Sequence, residues 1–232
     1  MPRAPICCPE AQARTASYGG TRVSIKTLIL AAFALAAPAL PVAAEPVRIV
    51  ALGDSLTAGY GLESADAFTG ALEAALRARG HDVVIVNAGV SGDTASDGAA
   101  RVDWSVGEDA DAVIVELGAN DALRGVDPAI TRAALDRLLA RLGERGLPVL
   151  LAGMMAPPNL GADYAAAFDP IYAELAAAHG VILYPFFLDG VAADAALNQE
   201  DGLHPNAEGV AVIVERIVPA VESLIVEARA AN

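Results

Sequence analysis

The chain has 232 residues, with 15 Lys and Arg against 29 Asp and Glu and a formal net charge of −14 at pH 7. Such a surface repels nucleic acid and anionic membranes at long range, so neither is an expected partner. Both cysteines (Cys7, Cys8) and the single lysine (Lys26) lie near the N-terminus.

Residues 1–21 are rich in Pro, Ala, Gly and Ser and show no periodicity. Residues 22–44 have the three parts of a secretory signal peptide: a basic front (Arg22, Lys26), an apolar run over 27–37, and a small-residue exit at Val42-Ala43-Ala44. That run is far short of the roughly 20 apolar residues that span a bilayer, and Pro38 and Pro41 interrupt its end. Cleavage after Ala44 is expected, with translation from Val23 as an alternative start. The expected organisation is therefore an N-terminal extension and signal over 1–44 and one domain over 45–232, located in the periplasm or secreted, with no stable membrane insertion after cleavage. The first 44 residues hold four basic and one acidic side chain, so the remaining 188 hold 11 and 28, a charge of −17. They contain neither cysteine nor lysine. A disulfide, a cysteine nucleophile, Schiff-base chemistry and a phosphate-loop lysine are thereby excluded from that part. Its length suits one domain with a sizeable core, expected to be a monomer.

The elements alternate. Residues 47–52 read as a buried strand, and 65–79 as a helix with Phe68, Leu72, Ala75 and Leu76 on one stripe and Gly80 as its stop. Strands follow at 82–87 and 112–117, then a helix over 128–142 with Pro128 in its first turn. A strand at 147–152, a helix over 163–179, a short strand at 181–184 and a last helix over 206–228, with Pro219 kinking or splitting it, complete the pattern. Near-continuous apolar strands separated by helices predict an α/β sandwich of about five parallel strands covered on both faces. In such a sheet ligands bind beyond the carboxyl ends of the strands. Ser55, Gly92, Asn120 and Met154 each follow a strand, so all fall on one rim.

Gly53-Asp54-Ser55 puts a serine at a strand-to-helix turn, where it serves either as a nucleophile or as part of a helix cap. The Gly-x-Ser-x-Gly pattern of the common α/β-hydrolases is absent there. Among three histidines, His204 stands in the turn Asp201-Gly202-Leu203-His204-Pro205, three residues after an aspartate. A histidine oriented by a carboxylate is what a general base requires. His81 is expected to be exposed, and His179 to sit at a helix C-terminus. None of the three is spaced with a second ligand as zinc sites are, so no metal and no cofactor are expected. Gly92 and Asn120, in Ser91-Gly92-Asp93 and Gly118-Ala119-Asn120-Asp121, offer an N–H and an amide suited to an oxyanion.

These four blocks, in this order, resemble the SGNH, or GDSL, hydrolases from about residue 47 to 219. Residues 115–125 and Tyr184-Pro185-Phe186-Phe187 are similar to the bacterial periplasmic acyl-CoA thioesterase I, lysophospholipase L1 and arylesterase branch. Ala119 stands where a further glycine is frequent. The resemblance implies a flavodoxin-like three-layer fold. It also implies Ser55 as nucleophile, His204 as base, Asp201 as its orienting partner, and an oxyanion hole of the Ser55 and Gly92 N–H groups with the Asn120 amide. Residues 122–125 resemble a mobile loop over the site. Leu123, Met154, Met155, Ala156, Pro157, Pro158 and Phe187 are expected to wall an acyl or aryl pocket. The expected activity is hydrolysis of a small-molecule ester or thioester, of short to medium acyl, aryl or lysophospholipid type. A carbohydrate O-acetylesterase on the same scaffold and a noncatalytic periplasmic binding protein are the competing expectations.

Overall fold

In the computed structural model the described residues are 15–17, 19–20 and 45–231. The expected signal peptide, its cleavage site, both cysteines and the lysine lie outside them. The chain divides into two compact units, Met1–Ala43 and Ala44–Asn232. Of the first, the described residues are exposed and belong to no helix or strand.

The second unit is built on five parallel strands: β1 (Val47–Gly53), β2 (Val83–Gly89), β3 (Ala112–Glu116), β4 (Val149–Ala152) and β5 (Ile182–Tyr184). They lie in the order β2-β1-β3-β4-β5. Every residue of β3 and β4 is buried, as in a sheet covered on both faces. The ladder aligns Gly53 with Gly89 on one side and with Glu116 on the other, so three strand ends meet at the same level. The chain winds outward in opposite directions from β1, and the ends of β1 and β3 border the crevice this reversal creates.

The helices are α1 (Ser55–Ala58), α2 (Phe68–Ala78), α3 (Ala95–Ser105), α4 (Ala119–Leu123), α5 (Pro128–Glu144), α6 (Ala162–Phe168), α7 (Ile171–His179) and α8 (Ala207–Ala231). The helices α2 and α8 pack together on one face of the sheet, and α3, α5 and α7 on the other. Fully buried Phe68, Leu72, Leu76, Ile213, Ile217 and Leu224 fill the first interface; Leu135, Leu138, Leu142 and Ile171 fill the second. This is the three-layer α/β/α sandwich expected from the sequence.

Three local expectations are corrected. The helix expected over 163–179 is two helices, α6 and α7, because Pro170 has no N–H to continue the first ladder. Conversely, Pro219 does not split the last helix, which runs from Ala207 to Ala231 as α8. That proline lies on the exposed face, where the carbonyl one turn back is left to water instead of being stranded in the core. His81 is half-buried against Glu222, 3.1 Å from its carboxylate, rather than exposed. No helix among the described residues is long and apolar enough to cross a membrane.

Candidate active site

The nucleophile turn begins where β1 runs out. A Cβ on Gly53 would lie 2.1 Å from Thr57 Oγ1 and 2.7 Å from the Glu116 carbonyl, so only glycine lets the chain turn this tightly against β3. Asp54 caps α1, its Oδ1 accepting the Leu56 N–H at 3.0 Å. Ser55 is therefore the first helical residue, and its hydroxyl points off the rim. It lies 2.9 Å from His204 Nε2. On the far side of the ring, His204 Nδ1 is 2.6 Å from Asp201 Oδ2. Asp201 Oδ1 accepts the N–H groups of Leu203 (2.9 Å) and His204 (3.0 Å). The bond from His204 and these two N–H groups hold the Asp201 carboxyl at about 2, below the usual carboxylate range. An ionised Asp201 keeps the imidazole proton on Nδ1 and leaves the Nε2 lone pair facing Ser55 Oγ–H, the arrangement a general base needs.

Donors for an oxyanion surround Ser55. The Ser55 and Gly92 N–H groups have no acceptor among the described residues. Asn120 Nδ2 gives one N–H to Asp54 Oδ2 at 3.0 Å and keeps its second free. The loops carrying these donors are tied from below. The Arg101 side chain, 9% exposed, reaches Asp93 Oδ2 (2.6 Å), the Ala88 carbonyl (2.8 Å) and the Gly53 carbonyl (2.8 Å). One guanidinium thus joins the ends of β1 and β2 to the loop that holds Gly92. Buried Asp121 accepts the Ala95 N–H at 2.8 Å and the Thr131 hydroxyl at 2.9 Å, fixing α4 to α3 and α5. Arg124 Nη2 donates to the Gly92 carbonyl at 2.8 Å across the mouth.

Beneath the turn lie two fully buried carboxyl groups. Burial pushes Asp54 up to about 6, against the pull of its bonds to Leu56 and Asn120. Burial and the neighbouring Asp54 push Glu116 well above the usual range. Glu116 Oε2 accepts the Thr57 hydroxyl at 2.8 Å, while Oε1 has no partner among the described residues. A pair of this kind carries a single charge near neutral pH.

A cavity of about 390 Å³ opens beside Ser55, Asn120 and His204. Its walls are Leu123, Met154, Met155, Ala156, Pro157 and Pro158, with Phe186, Leu188 and Ala192 opposite. Among the described residues no group of three or more His, Cys, Asp or Glu side chains converges as metal ligands would.

Residues 51–212 match the GDSL-like Lipase/Acylhydrolase family. The chain belongs to this family. It is 36% identical over 178 residues to Esterase TesA of Pseudomonas aeruginosa, covering 76% of this chain and 89% of that one. It is 37% identical over 169 residues to an arylesterase of Vibrio mimicus, covering 72% and 84%. The solved structure of AlinE4, an SGNH-hydrolase family esterase, superposes with a TM-score of 0.66 at 45% identity, covering 78% and 97%. This GDSL-family chain is a carboxylic ester hydrolase of the serine type, acting on a small-molecule ester.

Within this GDSL-family site the structure brings Ser55, His204, Asp201, Gly92 and Asn120 together, and six of the seven expected wall residues line the cavity beside them. Phe187 is the exception. It is 1% exposed and packs edge-on against Phe68 at 5.0 Å, while Phe186 faces the cavity. Phe187 instead backs a tight recess on the other side of Ser55, shared with Leu56, Tyr60 and Leu62. Five further residues of the site, Asp54, Glu116, Arg101, Tyr60 and Gln199, are not among those expected from sequence. Asp54 does carry a local signal, as a helix-capping aspartate beside the serine; Arg101 carries none, because its partners lie on three other segments.

Proposed function

We propose that Ser55 attacks the ester carbonyl while His204 Nε2 takes its proton and Asp201 holds the imidazolium. The Ser55 and Gly92 N–H groups and the free Asn120 N–H receive the charge that develops on the carbonyl oxygen. Collapse expels the alcohol, protonated by His204, and leaves an acyl group on Ser55. Water activated by His204 then attacks that acyl group and releases the acid. The observation that carries this reading is the continuous hydrogen-bond chain from Ser55 Oγ through His204 to Asp201.

The cavity wall favours an acyl or aryl group over a sugar, since its larger residues are apolar and its volume suits a small ligand. We assign it to short- or medium-chain acyl and aryl esters. Ser55→Ala should abolish both turnover of p-nitrophenyl butyrate and labelling by a fluorophosphonate. Persistence of either in that variant refutes the nucleophile. A panel of p-nitrophenyl acetate to dodecanoate, with acetylated xylan beside it, tests the cavity: a profile flat across chain length, or a preference for the xylan, refutes the acyl assignment. We further infer export through residues 22–44 with cleavage after Ala44, and a monomeric domain over 45–232. N-terminal sequencing and sizing of protein recovered from the periplasm test both.

A further inference from the structure

The hydrogen bond at Nδ1 lies within the His204 turn itself, so of the two ring bonds only the one from Nε2 to Ser55 connects the turn to the rest of the rim. Asp201 and Leu203 are exposed, and the turn is separated from Ser55 by 149 residues of sequence. Two other contacts make that connection. The Tyr60 ring lies on the imidazole, with centroids 4.6 Å apart and planes at 34°. Its side chain is about half exposed, and its hydroxyl has no partner among the described residues, so the ring rather than the phenol makes this contact. Gln199 is the second. Its N–H donates to the His204 carbonyl at 2.7 Å, and its side-chain amide donates to the carbonyls of Tyr60 (2.8 Å) and Pro205 (2.9 Å). One residue therefore grips both neighbours in the base turn and the loop after α1. The approach is close: a Cβ on Gly61, at φ +74°, would stand 2.3 Å from Gln199 Oε1.

We propose that Tyr60 and Gln199 form a clamp that holds the His204 imidazole within reach of Ser55, making both positioning residues for ester hydrolysis. The inference rests on the Ser55–His204–Asp201 assignment above. The clamp acts twice. Gln199 sets the distance between the two loops, and the Tyr60 face lies against a ring that becomes cationic when it takes the serine proton. Asp201 and, at longer range, Asp54 are the charged groups that share that ring's surroundings. Asp201 meets the ring at its Nδ1 edge, whereas Tyr60 lies on a face.

The test compares Tyr60→Leu, Tyr60→Phe, Gln199→Met and the Tyr60→Leu/Gln199→Met double variant. The readouts are kcat, KM, the rate of fluorophosphonate labelling and Tm. Tyr60→Leu should lower kcat about tenfold with KM within about twofold, the scale of a lost ring–cation contact plus a misplaced base. Labelling should slow by the same factor. Tyr60→Phe, which keeps the ring, should return kcat to within about twofold of the original. Gln199→Met should lower kcat similarly, and the double variant should lose less than the product of the two single losses, as residues of one unit do. A kcat unchanged in either single variant, an effect confined to KM, no rescue by phenylalanine, or a fully multiplicative double variant would each overturn the clamp. Unmodified protein that fails to label at Ser55 would overturn the triad assignment itself. Labelled unmodified protein with unaffected variants overturns the clamp alone.

Discussion

The proposed nucleophile and its base are held in opposite ways. Ser55 leaves the end of β1 with fully buried Asp54, Thr57 and Glu116 behind it, and Arg101 pins the same strand end from beneath. His204 sits on an outer turn, its ring held by one carboxylate and one aromatic face and its loop by the bonds of Gln199 and Asn206. The first region belongs to the core of the sheet; the second is attached to it. Damage to the groups behind Ser55 should therefore appear in stability, and damage to the reacting side chains or to the fastenings of His204 in rate.

Ser55→Ala is the strongest test of rate without stability. It should lower kcat by about 10⁶, as loss of a triad nucleophile does, and leave Tm nearly unchanged because the side chain is small and only partly buried. A large fall in Tm would mean that Ser55 is part of the structural base. Arg101→Met probes the opposite behaviour. It strands Asp93 beside the Gly53 and Ala88 carbonyls, and removal of one partner of a buried pair costs about 3–5 kcal/mol, read by urea unfolding. Full activity and unchanged unfolding would show that the strand ends need no such tie.

Asn120→Ala lies between the two regions. It should lower kcat about 10²–10³-fold through the lost oxyanion donor. It should also cost about 1 kcal/mol of stability, since Asp54 loses a hydrogen bond. Equal KM and unequal kcat distinguish the first effect from general loosening.

The smallest effect is in the pH dependence. Asp54 and Glu116 are pushed up by burial, so above about pH 4 the folded state holds protons that the unfolded chain has released. The contribution of Asp54 is full below that pH and falls as pH rises through about 6, and that of Glu116 likewise falls as pH rises above the usual carboxylate range. Asp201 runs the other way: its contribution is full above about pH 4 and is lost as pH falls toward 2. Glu116→Gln should flatten the decline above the usual carboxylate range without touching the acid side. Unchanged slopes on urea unfolding would show that the pair does not titrate in this window.

The parts of this arrangement that are legible from sequence are those written locally. The apolar runs of β1 to β4 announce buried parallel strands, and Asp201 and His204 stand three residues apart, so a turn must bring them together. Pro170 is equally local, yet it is masked inside an alanine-rich periodic segment, and the split between α6 and α7 is masked with it. Pro219 reads as a break, because sequence shows a missing N–H but not that its face meets water. Phe186 and Phe187 leave β5 side by side, and which of the two faces the cavity depends on a backbone path that composition does not reveal. Arg101 and Gln199 each tie near partners to one that is far away in the chain, Gly53 and Tyr60 respectively. Only the folded arrangement shows that they are more than a helix cation and a loop amide.

The strand order also divides two kinds of work. The groups proposed to handle the scissile bond come from the loops after β1, β2 and β3 and from the turn before α8, whereas Met154–Pro158 and Phe186, Leu188, Ala192 and Ala193 of the cavity wall come from after β4 and β5. The two sets meet in α4, where Leu123 of the wall stands three residues after Asn120. The segment after β4 is therefore the more transplantable part of substrate preference, since the Val191 carbonyl after β5 accepts the Asn198 side chain and so helps to hold the loop that leads to His204.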